Sequence, residues 1–393
     1  MKQRFYSLDV FRGATVALMI LVNNPGNWGQ LFAPLKHAEW HGCTPTDLVF
    51  PFFLFAVGNA LSFVMPRLEA GGTAVFLRKV FIRSLLIFGL GLFLNWAPFV
   101  KWSNGELVFK HWVDPNNPNS GIRILGVLQR IALCYFFATL IIYFFKIRGA
   151  FVIAVTFLMA YWVICLVANP SDPFSLQGWF GTAIDKRILG EAHMYKGEGI
   201  PFDPEGLMSL LPAITQVIFG YLAGNYIQQK SRAGTTNNYE MLSNLFIAGC
   251  IFVLTAFCWD YSFPINKKIW TSSYVLYTTG LAIIGLALLI YLIDFKGIKG
   301  GWSHFFDVFG KNALFIFLIS GLYGRIAELF RWVESISPDG KKVYTTVFRW
   351  YYEHVCKLIP NLKLGSLLYA ITILGLMWLI AWGLDRKKWY IRV

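Results

Sequence analysis

Charge is what this chain has least of: Asp, Glu, Lys and Arg make up 14% of its 393 residues, where a soluble globular domain carries about 25%. That shortage excludes an ordinary water-soluble enzyme, and no stretch reads as a separate soluble domain. Acidic residues are the scarcer sign, 21 against 35 basic ones, for a net charge of +14. Cysteine is sparse as well. Cys43, Cys134, Cys165, Cys250, Cys258 and Cys356 stand singly, with neither metal-ligand spacing nor a paired framework, so no metal site is expected. There is no internal repeat, low-complexity tract or flexible interdomain linker, and no Walker-type spacing follows Gly89 and Gly91.

What fills the chain is apolar. Hydrophobic residues make up 56% and aromatics 18%, with a mean hydropathy of +0.53. The length suffices for roughly ten spans of about 20 residues with their loops. Lipid cannot satisfy open backbone groups, and the apolar runs are too long and unalternating for barrel strands. The expected fold is therefore all-α, a polytopic transmembrane bundle of about ten to eleven spans forming one domain over residues 1–393. Candidate spans run Leu8 to Asn23, Asp47 to Met65, Lys79 to Pro98, Ile122 to Phe145 and Gly149 to Ala168. Five more follow at Leu207 to Ile227, Asn244 to Tyr261, Ser272 to Ile293, Phe305 to Arg325 and Leu364 to Leu384. Tyr344 to Cys356 is too short and charged to cross and reads as an interfacial or re-entrant helix.

The positive charge does not point to nucleic acid, because many of the cations sit at span ends. Lys2, Arg4, Arg67, Arg78, Lys79, Arg83, Lys146, Arg148, Lys230, Arg232, Lys296, Lys299 and Arg386-Lys387-Lys388 fall on one side if the N-terminus is cytoplasmic and the spans alternate. This satisfies the positive-inside rule with both termini inside. Lys101, Lys110, Lys186, Arg187, Lys196, Lys267, Lys268, Lys341 and Lys342 fall outside, mostly in long loops, to which the rule gives little weight. Asp9 and Arg12 interrupt the first apolar run and no small-residue cleavage site follows, so it reads as a retained helix. The outer loops Val100 to Gly121, Asn169 to Gly206 and Ala327 to Lys363 carry Gly, Pro, Trp and charge, as a structured cap over a site would.

Against this background one polar segment stands out, from Asn23-Asn24-Pro25-Gly26-Asn27 to Lys36-His37-Ala38-Glu39-Trp40-His41-Gly42 and then Thr44-Pro45-Thr46-Asp47. The orientation above puts it outside, between the first two spans. An imidazole titrates near about 6.5 and can serve as base, acid or nucleophile. Asn23 or Asn24 is placed to orient it or to meet an oxyanion, and Asp47 to fix its tautomer. A solvated loop histidine and an ordinary Asn-Pro-Gly turn are the structural alternative.

The stretches Ser7–Gly13, Val22-Asn23, Lys36–Gly42 and Asp47–Phe53 resemble the heparan-alpha-glucosaminide N-acetyltransferase family. Gly126–Arg130, Phe202–Gly206, Asn266–Tyr274 and Gly310–Ala313 agree in order, so the likeness covers nearly the whole chain. The resemblance implies a membrane enzyme that moves acetyl groups from cytosolic acetyl-CoA to the amino group of a glucosamine-type sugar on the far side. By it His37 corresponds to the catalytic histidine and Asn23 to its asparagine partner. Two departures keep alternatives open: the family usually has Asn where this chain has His41, and an insertion before His37 leaves Asn24 as a rival to Asn23. The chain starts at the first matching span, without the extra N-terminal lumenal region of lysosomal forms. It thus resembles the compact bacterial relatives, which implies the bacterial inner membrane and is compatible with a homodimer.

For the acyl donor, phosphate charges belong at the cytoplasmic face, where Arg12, Arg78, Lys79, Arg83 and Lys311 are candidates. Arg130, next to Gln129, joins them as an intramembrane cation. The structural alternative is lipid anchoring for the flanking cations and an Asp9–Arg12 ion pair. For the acceptor, Asn24, Trp40, Asp203, Glu205, Asn266, Lys267, Trp270 and Tyr274 are candidates, where carboxylates attract an ammonium and aromatic faces stack on a sugar ring. Asp203-Pro204-Glu205-Gly206 also reads as a helix start, and Gly220-x-x-x-Gly224 as helix packing. A transporter of amino sugars or cell-wall fragments is the alternative function, although no inverted repeat or pair of broken half-helices supports it.

Overall fold

The computed structural model describes residues 6–103, 105–232 and 238–391. Lys2 and Arg4, used above for the charge pattern, lie outside them. Twelve α-helices order these residues: α1 (Tyr6–Asn23), α2 (Val49–Glu69), α3 (Gly72–Trp96), α4 (Val127–Ala168), α5 (Gly181–Leu189) and α6 (Leu210–Arg232), followed by α7 (Asn238–Asp260), α8 (Ser272–Leu289), α9 (Gly301–Lys311), α10 (Ala313–Ala327), α11 (Val347–His354) and α12 (Leu362–Arg386). Seven helices are long and apolar enough to cross a membrane, or eight if α9 and α10 count as one bent span. The molecule is a mostly helical bundle, as its composition requires.

The expectation of an all-α chain needs one correction. The loops hold three antiparallel hairpins: β1 (Val100–Ser103) with β2 (Glu106–Phe109), β3 (Val113–Asp114) with β4 (Asn117–Gly121), and β5 (Arg331–Ile336) with β6 (Lys342–Thr346). All lie in loops expected to be structured, where short two-stranded ribbons need no lipid-facing backbone. The stretch from Tyr344 to Cys356 accordingly begins as strand, its first three residues closing β6 before the chain runs into α11.

The spans expected at Ile122 to Phe145 and Gly149 to Ala168 are the two arms of α4. Lys146 breaks the helix with φ 56° and ψ −172°, in the left-handed half of conformational space that a lysine rarely enters. In a straight helix Arg130 and Tyr161 would lie about 46 Å apart at ~1.5 Å per residue. Instead the Arg130 guanidinium lies 5.0 Å from the Trp270 ring centre, and the Tyr161 hydroxyl donates to the Ile269 carbonyl at 2.6 Å. Both arms therefore end at the same loop, and α4 doubles back at Lys146.

A second departure is the span expected at Phe305 to Arg325. It bends by 82° between α9 and α10. The bend is held by polar contacts from distant sequence: the Asn312 amide donates to Trp389 O at 3.1 Å and accepts from Ile391 N at 2.9 Å. Lys311 beside it pairs with Asp307 at 2.7 Å and Asp385 at 3.0 Å.

Tight packing sets the order of the bundle. A methyl at Gly220 would sit 2.1 Å from the Phe55 carbonyl oxygen, so α2 and α6 meet backbone to backbone, the packing expected of that glycine pair. Among the seven most apolar helices α6 is the most buried, at 72% of its most apolar stretch, while α4 and α7 are the least, at 28%. At one end of the bundle lie the α1–α2 loop, the hairpins and the α7–α8 loop. There Gly42 bridges Asn266, and Trp40 Nε1 donates to Phe174 O at 2.8 Å. Buried Trp179, Phe202, Phe263 and Ile269 give this cap its own apolar core. At the opposite, basic end Ser7 bonds Asp294 at 2.5 Å and Lys146 pairs with Glu69 at 3.0 Å.

Candidate active site

Helix α1 stops at Asn23, and the chain crosses the cap before one short helical turn, Pro45–Leu48, starts α2. Thr44 caps that turn: its backbone and hydroxyl both donate to Asp47 Oδ2 at 3.0 Å. The Ala38 amide adds a third donor at 3.0 Å. One oxygen of Asp47 is thus saturated, and the other is aimed at His37.

The His37 Nδ1 to Asp47 Oδ1 distance is 2.6 Å, with Asp47 only 2% exposed. Two oxygens or nitrogens that close need a proton between them. A carboxylate surrounded by donors does not hold it, so Nδ1 carries it and Nε2 is left as the acceptor. Lys267, from the α7–α8 loop, closes the triangle: its Nζ lies 3.2 Å from Asp47 Oδ1 and 3.0 Å from His37 Nδ1. Burial draws the Lys267 ammonium below its ordinary value, against the pull of Asp47. Tyr274, buried in α8, supports the turn from beneath by donating to Asp47 O at 2.6 Å.

His37 and Asp47 line a cavity of about 340 Å³ that also takes in Asn23, Trp40, Glu205, Lys267 and Trp270. Among the two asparagines, Asn23 reaches this cavity, whereas Asn24 bonds back to Ile20 O at 2.7 Å and caps α1. His41 stays outside it, its Nδ1 3.4 Å from the Asn266 amide. Asn266 is buried and spent on its own turn, accepting from Lys268 N and Ile269 N at 2.7 and 3.1 Å. Asp203, also fully buried, faces Arg123 instead of the cavity.

Arg123 is the residue that sequence reasoning missed. It grips Asp203 and Glu205 together and stacks on the Tyr195 ring at 4.9 Å. Burial works against its charge, but Glu205 and Asp203 outweigh that and hold the guanidinium above its ordinary range. The available signal was the Asp203-x-Glu205 spacing, two carboxylates that require a cation once buried. Glu198 and Lys268 were also overlooked as cavity residues; they pair at 2.7 Å on its rim.

A larger cavity of about 690 Å³ opens toward the basic end. Of the expected donor residues it contains Arg12, Arg83 and Lys311, together with Arg67, which was not foreseen there. Arg78 and Lys79 lie on the exposed face of α3, outside it. Arg130 is elsewhere too. It is 2% exposed at the cap end, donates to Gly206 O at 3.0 Å and to the Ser209 hydroxyl, and lies against Trp270. The Asp9–Arg12 ion pair is present at 2.8 Å.

Two helices, α2 and α4, contribute to both cavities through different residues. Phe50 and Val127 line the first, Phe53 and Ile131 the second, each pair one helical turn, about 5 Å, apart along its helix. The linings therefore come within a turn of each other inside the bundle.

This arrangement can be set beside known proteins. The profile described as heparan-alpha-glucosaminide N-acetyltransferase, catalytic, matches residues 4–251. The chain belongs to that family. Heparan-alpha-glucosaminide N-acetyltransferase of Homo sapiens is 26% identical over 369 residues, covering 80% of this chain and 52% of the human protein. Heparan-alpha-glucosaminide N-acetyltransferase of Mus musculus is 26% identical over 377 residues, 80% of this chain and 53% of the mouse protein. The chain spans about half the length of these relatives. Its helices and its membership of the heparan-alpha-glucosaminide N-acetyltransferase family make it an integral membrane protein. The profile takes in the His37–Asp47 pair and Arg123 with its two carboxylates, but ends before Lys267.

Proposed function

We propose that this protein takes an acetyl group from acetyl-CoA at its basic end and delivers it to the amino group of a glucosamine-type sugar at its cap. One observation carries this reading: the His37 cavity and the cation-lined cavity lie back to back, within one turn of α2 and α4. The larger one suits the donor. Arg12, Arg67, Arg83 and Lys311 stand at one end of it for phosphates, and Phe53, Val57, Leu61 and Ile131 form a narrow apolar wall for the pantetheine arm.

In the reaction the sugar amine attacks the thioester carbonyl, its new C–N bond forming as the C–S bond breaks. His37 Nε2 takes the proton from the amine and passes it to the departing sulfur. Asp47 keeps Nδ1 protonated and the ring turned, as an orienting carboxylate does in other imidazole-based sites. Asn23 is the side-chain amide positioned for the carbonyl oxygen, and Trp40, Trp270 and Glu205 frame the sugar.

Counting the two arms of α4 separately, with α3 as a further span, brings the crossings to about ten. Both termini then lie in the cytoplasm, and the cap faces outward from a bacterial inner membrane. The test is reconstituted protein supplied with acetyl-CoA and glucosamine. Free thiol is released in step with N-acetylglucosamine, and His37→Ala abolishes both; sugar uptake without thiol release makes the protein a transporter and overturns the proposal.

A further inference from the structure

The His37–Asp47 pair has a third member whose charge works against a protonated ring. Lys267 Nζ sits 3.0 Å from His37 Nδ1 and 3.2 Å from Asp47 Oδ1. Since Asp47 Oδ2 is taken by Ala38 and Thr44, Lys267 and His37 share the one remaining carboxylate oxygen. An orienting carboxylate alone makes an imidazole a stronger base, so that it keeps the proton it has taken. An ammonium at contact distance opposes this, because a proton arriving at Nε2 creates two adjacent cations.

We propose that Lys267 is a positioning residue that holds the Asp47 carboxylate and keeps His37 neutral between proton transfers, so that the ring passes its proton on. The inference rests on the transferase reading. In that step the proton leaves the attacking amine for Nε2 and then reaches the thiolate freed when the C–S bond breaks. Lys267 exchanges neither proton nor bond. It shortens the life of the imidazolium.

The other charges facing the ring do not duplicate this effect. Across the cavity Arg123 pairs with Glu205 and Lys268 with Glu198. On the loop of His37 itself, Lys36, Glu39 and His41 are exposed to solvent, which screens them. The Cys43 thiol, pushed up to about 12 by burial, is neutral. Lys267 is therefore the cation in direct contact with the ring among the described residues.

The test uses the full chain in detergent and reads His37 directly. Diethyl pyrocarbonate modifies neutral imidazole, so the pH of half-maximal modification, followed on the His37 peptide by mass spectrometry, reports when the ring loses its proton. Removing the ammonium with Lys267→Met moves that midpoint upward by about one pH unit, a tenfold change in the protonated-to-neutral ratio. The acid limb of kcat/KM moves with it, and Lys267→Arg, which restores the charge, returns both. Lys267→Gln repeats the shift if the methionine variant does not fold. An unchanged midpoint in a folded neutral variant, even one of low activity, overturns the proposal and reduces Lys267 to a wall of the cavity. Wild-type protein that transfers no acetyl group counts against the transferase reading alone, and the modification midpoint still decides the role of Lys267.

Discussion

Replacing Asp47 by asparagine tests the site at its most determined point. The oxygen facing Ala38 and Thr44 receives two backbone N–H donors at 3.0 Å, so an amide at this position must turn its own oxygen toward them. Its NH2 group then faces His37 Nδ1, across the 2.6 Å now spanned by a hydrogen bond. Nδ1 becomes the acceptor, the ring proton moves to Nε2, and the nitrogen facing the cavity loses its lone pair. In Ser-His-Asp enzymes a wrong tautomer of this kind lowers kcat by about 10⁴. With Lys267 also deprived of its carboxylate, we expect Asp47→Asn to lower kcat by roughly 10³–10⁴, about 4–5 kcal/mol in the barrier. KM for acetyl-CoA stays within about twofold, since Asp47 is absent from the basic cavity. The assay is thiol release in proteoliposomes, with 15N-histidine NMR reading the tautomer. A variant that keeps kcat within tenfold of wild type, or whose His37 proton remains on Nδ1, refutes the reasoning.

Three further outcomes are expected. His41→Ala, outside the cavity, keeps acetyl transfer within about threefold of wild type by the same thiol assay, while His37→Ala has none; the reverse ranking would exchange the two histidines. Arg83→Gln raises KM for acetyl-CoA about tenfold through loss of a charge-assisted contact, whereas Lys79→Gln, on the exposed face of the same helix, leaves it unchanged in steady-state kinetics. Asp185, in α5, is pushed up to about 6 by burial, and its Oδ2 has no hydrogen-bond partner. A folded value above the unfolded ~3.9 means its stabilising contribution is complete below about pH 4 and is lost as pH rises toward 6. Asp185→Asn therefore stabilises the protein at neutral pH by about 1–3 kcal/mol. The check is Tm in detergent across this range, where an unchanged slope would count against the assignment.

The legible parts of this molecule were those written in local sequence. Long apolar runs gave the helices, and a carboxylate at the start of the second span, Asp47, able to fix the tautomer of an imidazole in the preceding loop, gave the central pair. What stayed hidden depends on partners far along the chain. The bend at Asn312 is fixed by Trp389 and Ile391, which nothing near Asn312 announces. Arg130 looked like a phosphate ligand because an intramembrane cation needs a partner, yet its partners are a carbonyl, a hydroxyl and an indole face. Arg123 was concealed inside a stretch read as a span; the helix begins at Val127, leaving it in the cap. Which of His37 and His41, four residues apart, lines the cavity depends on how the loop is packed, which local sequence does not carry.

The elbow at Lys146 bears on how the protein is made. Its two arms turn on one residue, leaving no stretch of chain to pause in the aqueous compartment between them. So tight a corner predicts that the two arms enter the membrane together, as a single hairpin. Lengthening that corner with a polar tract would let each arm partition alone, and the order in which the bundle assembles would change with it.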